Sequence, residues 1–165
     1  MPLKATVYAG IAARYTASPD LGAAEYNVPK DDDTVFEAGV GDFQSDALWT
    51  DTRTLATNTT EDIDLRGALA DIFGVGAVFV EVTALLIKSA AANTTNLTIG
   101  NGTNPAQLFF GATTHSIILQ PGGTMLLTAP KTGWAITAGT ADILKVANAA
   151  GASATYNIKI MGRLS

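Results

Sequence analysis

The chain has no cysteine. Disulfides, thiolate nucleophiles and thiolate-held metals are therefore excluded, while the compartment stays open. It has one histidine, His115, between Thr114 and Ser116 at the entrance of a strand-like stretch. There is no Gly-x-Ser-x-Gly elbow, and neighbouring strand residues point to opposite faces. His115 is read as a surface or hydrogen-bonded residue, and no enzyme is expected. Charge is scarce, with 15% Asp, Glu, Lys and Arg and a net charge of −5. The ten basic residues are scattered. Nucleic-acid binding needs a basic face that displaces counterions, so DNA and RNA are excluded as direct partners. A bilayer span needs about 20 consecutive apolar residues. Here the uninterrupted apolar run is only Ile72 to Val80, flanked by Asp71 and Glu81 and broken by Gly74 and Gly76. Charges near mid-bilayer are costly, so no membrane helix is expected. The segment 1–20 lacks the apolar core of a signal peptide, which predicts synthesis in a cytoplasm.

What the chain does have is apolar content of 47% with a neutral polar complement of Thr and Asn, as in "ATNTTED" and "ANTTNLTIGNGTN". The Asn-x-Thr triplets at Asn58, Asn93, Asn96 and Asn101 reflect that bias. Thr suits strands, and a low-charge surface suits packing against copies of the same chain. From residue 34 onward, short alternating segments recur between Gly/Pro turns: "TVFEAGV", "ALWTDTRTLATN", "TEDID", "TNLTIGN", "AQLFFG", "HSIILQ", "GWAITAG", "DILKVAN" and "SATYNIKIMG". A long strand is expected over 77–88. Val78, Val80, Val82, Ala84 and Leu86 form its core face, and Phe79, Leu85 and Ile87 lie on a partly covered second face. Before it, Leu65, Leu69 and Ile72-Phe73 suggest one short helix capped by Gly74. "SIILQPGGTMLLTAP" reads as a hairpin with a type II turn, Pro121 presetting φ and Gly122 accepting positive φ. The pattern predicts one all-β domain, an antiparallel β-sandwich, over 34–165.

Residues 1–33 differ. They are rich in small residues, hold Pro19 and Pro29, and show no sustained alternation. They read as an extended N-terminal arm that orders against a neighbour. Tyr8, Arg14, Tyr15 and Tyr26 are its candidate contact residues, because Tyr and Arg are enriched among interface anchors.

Other clusters carry little chemistry. "KDDDT" (30–34) offers oxygen ligands for a hard cation, but lacks the spacing of a calcium loop. It reads as a solvated boundary. Glu61, Asp62 and Asp64 contain the carboxylate pair a glycosidase would need, without supporting His or Arg. "GNGTNPAQ" and "QPGGT" do not lead a strand into a helix, so neither is a phosphate loop. Trp49 and Trp134 could stack on sugars, though core or interface burial is the commoner fate of such rings. No metal or cofactor is expected.

Several elements resemble those of one kind of small head protein of tailed bacteriophages. They are the Leu65, Leu69, Asp71, Gly74 step, the Pro121-Gly122-Gly123 turn, Gly133-Trp134, Ala138-Gly139-Thr140 with Asp142, and the terminal segment from Tyr156 to Gly162. The resemblance covers about residues 60–165 and not 1–45. It implies a β-sandwich of jelly-roll type and a virion role: a capsid decoration, or cement, protein on the capsid exterior. The major capsid protein would be its partner, and the homotrimer its assembly. Bridging capsomers would stabilise the shell. A head-fibre base, a tail-associated virion protein and a carbohydrate-binding β-sandwich are the alternatives.

Overall fold

A computed structural model describes residues 2–17, 24–29, 33–67, 69–71, 73–106, 109–149 and 151–164. Along the chain the strands are β1 (Ala5–Val7), β2 (Ala13–Ala17), β3 (Ala24–Val28), β4 (Thr34–Ala38), β5 (Gln44–Ser45), β6 (Ala47–Leu55), β7 (Thr60–Asp64), β8 (Leu69–Ala70), β9 (Gly76–Ala77), β10 (Glu81–Ser89), β11 (Leu97–Gly100), β12 (Ser116–Leu119), β13 (Thr124–Thr128), β14 (Trp134–Ala135), β15 (Ile143–Asn148) and β16 (Ala154–Arg163). There is no α-helix among the described residues, and none of the helical length and apolarity needed to cross a membrane.

The fold is an all-β sandwich. One sheet has the order β13-β10-β16-β6, with short β14 added to β10, and the other the order β12-β11-β15-β7. Counting the eight main strands along the chain, the first sheet reads first, eighth, third, sixth from its β6 edge. The second reads second, seventh, fourth, fifth from β7. That is the order of a jelly roll, a long antiparallel ribbon folded over on itself so that successive turns lie in opposite sheets. Period-two alternation builds its core. In β16, Ala154, Tyr156, Ile158 and Ile160 are buried while Asn157 and Lys159 face out. In β15, Leu144 and Val146 are buried and Lys145 lies on the opposite face. Each fully buried Ile or Leu contributes about 1.5–3 kcal/mol relative to exposure.

A third layer crosses the outside of the first sheet. The small sheet β1-β4-β5 places Phe36 on Ala84 and Met161, with Leu3, Ala5 and Val7 packed around them. The expected arm thus has two parts: residues 3–7 lie on the sandwich, and β2 and β3 form a separate two-stranded hairpin.

This layer explains a correction to the expected core face of the long strand. The strand begins at Glu81, and Ala77 belongs instead to β9. Phe79, Val82, Leu85 and Ile87 enter the core between the sheets. Ala84 turns outward beneath Phe36, and Val78 is exposed. The register with β16 shifts between Val82 and Ala84, so one extra residue exchanges the two faces. Because both faces are covered there, apolar periodicity alone does not distinguish them.

The expected short helix is not found among the described residues of 65–74. The segment turns back through the β8–β9 hairpin, whose tip is closed by Asp71. Its Oδ1 accepts the Phe73 and Val75 amides, each at 2.8 Å, while the Asp71 amide bonds Val75 O at 2.8 Å. An Asp side chain that satisfies nearby amides favours a turn over a helix, and Gly74 takes φ +77° within it.

The turn after β12 has the expected chemistry. Gly123 N donates to Gln120 O at 2.9 Å and Gly122 has φ +75°. It does not close a hairpin, however: β12 pairs with β11 and β13 with β10, so the turn is a corner between sheets. "AQLFFG" is not a strand among its described residues. Phe109 and Phe110 lie in a loop against the core.

Candidate functional site

The hairpin formed by β2 and β3 is the feature that the jelly roll itself does not absorb. Its register pairs Ala13 with Val28, Arg14 with Asn27, Tyr15 with Tyr26, and Thr16 with Glu25. Alternation sorts these residues by chemistry. Arg14, Thr16, Glu25 and Asn27 share a polar face, where Arg14 forms an ion pair with Glu25 and Asn27 Nδ2 donates to Glu25 Oε1 at 2.8 Å. Ala13, Tyr26 and Val28 share the other face, with Tyr26 70% exposed and Val28 41% exposed. Tyr8 and Ile11, in the connection from β1, are also exposed. A lone two-stranded ribbon is marginal in water, and this one carries an apolar face on which Tyr26 and Val28 stay exposed.

The structure therefore brings Arg14, Tyr15 and Tyr26 into one hairpin and sets Tyr8 at its root. Sequence reasoning singled out these residues as aromatic and basic anchors but did not pair the strands. It missed Val28, and it missed the apolar tip at Phe73 and Val75, both largely exposed. For the tip the available signal was Asp71, two and four residues before them.

The other candidate chemistry is structural. His115 Nδ1 lies 2.9 Å from Phe110 O, a surface hydrogen bond. Of "KDDDT", residues 30–32 lie outside the described residues. Among the described residues, no group of three or more His, Asp or Glu could hold a metal ion. Trp49 is buried in the core, with the Arg53 guanidinium 5.2 Å from its ring centroid. Trp134 is half-buried and meets the edge of Phe109 at 5.3 Å.

Glu61 and its partners close the side of the sandwich where edge strands β6 and β7 lie. Arg53 pairs with Glu61 and with Asp51 at 2.9 Å. Tyr156 donates its phenol hydrogen to Glu61 Oε2 at 2.8 Å. Asp62, on the opposite face of β7, is in register with Lys145, and Asp64 accepts the Arg66 amide. The three acids do not converge.

Burial pushes the Tyr156 phenol from 10 up to about 12. Arg53 opposes this shift and Asp51 adds to it. The folded state thus prefers the protonated phenol. Its contribution to stability is complete below pH 10 and is lost as pH rises from 10 to 12. Tyr156→Phe is expected to lose this part of the alkaline destabilisation, together with the phenol that ionises at about pH 12. Urea unfolding at stepped pH, with ultraviolet titration of both proteins, checks it. An unchanged pH dependence of stability in the variant would contradict the assignment.

Taken together, the strand order and the projecting ribbon define a jelly-roll β-sandwich protein with an N-terminal amphipathic hairpin. No protein-family model and no curated protein matches the chain.

Proposed function

We propose that this chain is a structural virion protein, a decoration or cement protein that seats on the outside of a tailed-phage head. As a homotrimer it bridges neighbouring capsomers. The observation that carries this reading is the hairpin: an amphipathic ribbon that, among the described residues, joins no other sheet, beside a jelly roll in a chain of few charges. Few charges means little desolvation cost when flat neutral surfaces meet. Three arms on one assembly would multiply weak contacts into strong attachment wherever all three can reach. The major capsid protein is the partner, and Tyr8, Arg14, Tyr15 and Tyr26 are the contact residues.

The test uses particles of the virus that encodes the chain. Quantitative mass spectrometry gives its ratio to the major capsid protein, and electron microscopy gives its position. Removal of residues 8–29 is expected to preserve the β-type circular dichroism spectrum and strip the protein from expanded heads. Undiminished occupancy would refute the role of the arm. A particle lacking the protein would refute the whole reading, and density at the tail or a fibre base would move it there.

A further inference from the structure

The outer face of the first sheet carries a groove that matches the hairpin. Leu48, Ala84, Leu86, Leu126 and Met161 form an apolar floor, with Lys159 as the charged member of the lining. Residues 5–8 form one wall, and the cavity is about 390 Å³. β1 ends its sheet: β4 pairs along one side, and among the described residues no strand pairs along the other. No β4 residue lines the groove, so the groove follows the unpaired side of β1. Such a site offers main-chain hydrogen bonds from a free edge and an apolar floor for every second side chain. Its occupant must be an extended segment, apolar on one face and polar on the other.

The hairpin has that pattern, with Tyr26 and Val28 on one face and Arg14, Thr16, Glu25 and Asn27 on the other. Its charges Arg14 and Glu25 already neutralise each other on the face turned away, so docking need not strip water from an unpaired charge. Within one chain the hairpin leaves Tyr26 and Val28 in solvent and the groove open. The connection between β1 and β2 is residues 8–12, five residues that span at most about 17 Å. Each hairpin therefore starts beside its own groove and stays within reach of a close neighbour.

We propose that the β2–β3 hairpin of one copy docks, apolar face down, in the groove between β1 and the outer sheet face of a second copy. The exchange is head-to-tail, and such a contact closes into a ring when the rotation allows. It divides the faces of the hairpin between two partners. Tyr26, grouped above with the shell contacts, is thereby reassigned to the seam between subunits, while Arg14 and its neighbours on the polar face remain available to the shell. The inference rests on the self-association within the function proposed above, and names the surface that produces it.

The absence of cysteine makes the test clean. Chains carrying only Val28→Cys are mixed with chains carrying only Leu126→Cys and oxidised gently. A covalent dimer joining the two kinds of chain is expected on a non-reducing gel. Ile118→Cys, exposed on the other sheet, serves as the control and should give far less. Light scattering on Tyr26→Glu is expected to show self-association weakened about tenfold or more with an unchanged circular dichroism spectrum. Copies that associate while Val28→Cys couples no better to Leu126→Cys than to the control would overturn the docking and leave the shell reading standing. A crosslink confined to single chains carrying both cysteines would also overturn it. Loss from the virion with crosslinking intact would defeat the shell reading alone.

Discussion

Arg163→Met is expected to lower the free energy of unfolding by about 3 kcal/mol, toward the lower end of what removing one partner of a buried ion pair costs. Arg163 is 4% exposed at the end of β16, where its guanidinium ties three parts of the chain together. Nη1 donates to Glu81 Oε2 at 2.6 Å. Nε donates to Gln44 O at 3.2 Å. Nη2 serves Gly41 O at 2.7 Å, Lys131 O at 2.9 Å and Pro130 O at 3.2 Å. A thioether supplies none of these donors, and a part-buried carbonyl that loses one carries a cost of its own, although Gly41 O and Pro130 O keep the amides of Gln44 and Phe43. The Glu81 side chain is about one-third exposed, so its carboxylate can regain water, which limits the loss. Arg163→Lys keeps the charge, but its compact ammonium cannot reproduce the planar fork. It should recover only part of the stability. Urea titrations of the three proteins at neutral pH check the order. Equal midpoints would show that the loops at 41–44 and 130–131 hold themselves.

Gly162→Ala is expected to be at least as damaging, about 3 kcal/mol or more, at the upper end of the overpacking range. A Cβ at this position would stand 2.1 Å from Glu81 O and 2.8 Å from Phe79 Cδ1. The first is a backbone carbonyl on the neighbouring strand, so relief requires moving β10 or β16, the two central strands of the first sheet. Gly162 pairs with Val82 beside the register shift. Gly76→Ala is the control, because a Cβ there meets nothing within 4 Å. Thermal unfolding should show a large drop for the first variant and almost none for the second. Similar melting temperatures would mean that the strands separate there at little cost.

The fold was largely legible because alternation is written locally. The pattern in "DILKVAN" and "SATYNIKIMG" appears directly as β15 and β16, and the Pro121-Gly122 turn has the expected hydrogen bond. The errors have a common cause. In β10 both faces are apolar, since one meets the core and the other lies under Phe36, so the inserted residue at Val82–Ala84 left no mark in the pattern. Around Asp71 an apolar spacing compatible with a helix competed with a side chain able to close a turn, and the turn prevailed. The candidate site was legible as composition: tyrosines and an arginine in a stretch otherwise made of small residues. Its geometry was not, because pairing Tyr15 with Tyr26 depends on where two short strands meet.

By itself, the sequence determined the strand-forming segments, the turn residues between them and the neutral character of the surface. These follow from side-chain shape and backbone torsions within a few residues. Only the tertiary structure decided which strand lies beside which, that Pro121-Gly122 turns a corner, and that Arg163 meets Glu81 across 82 positions of chain. It also decided that an amphipathic hairpin and an apolar groove are left open on the same molecule. Such contacts join residues remote in sequence, and local alternation is the same whichever partner a strand finds.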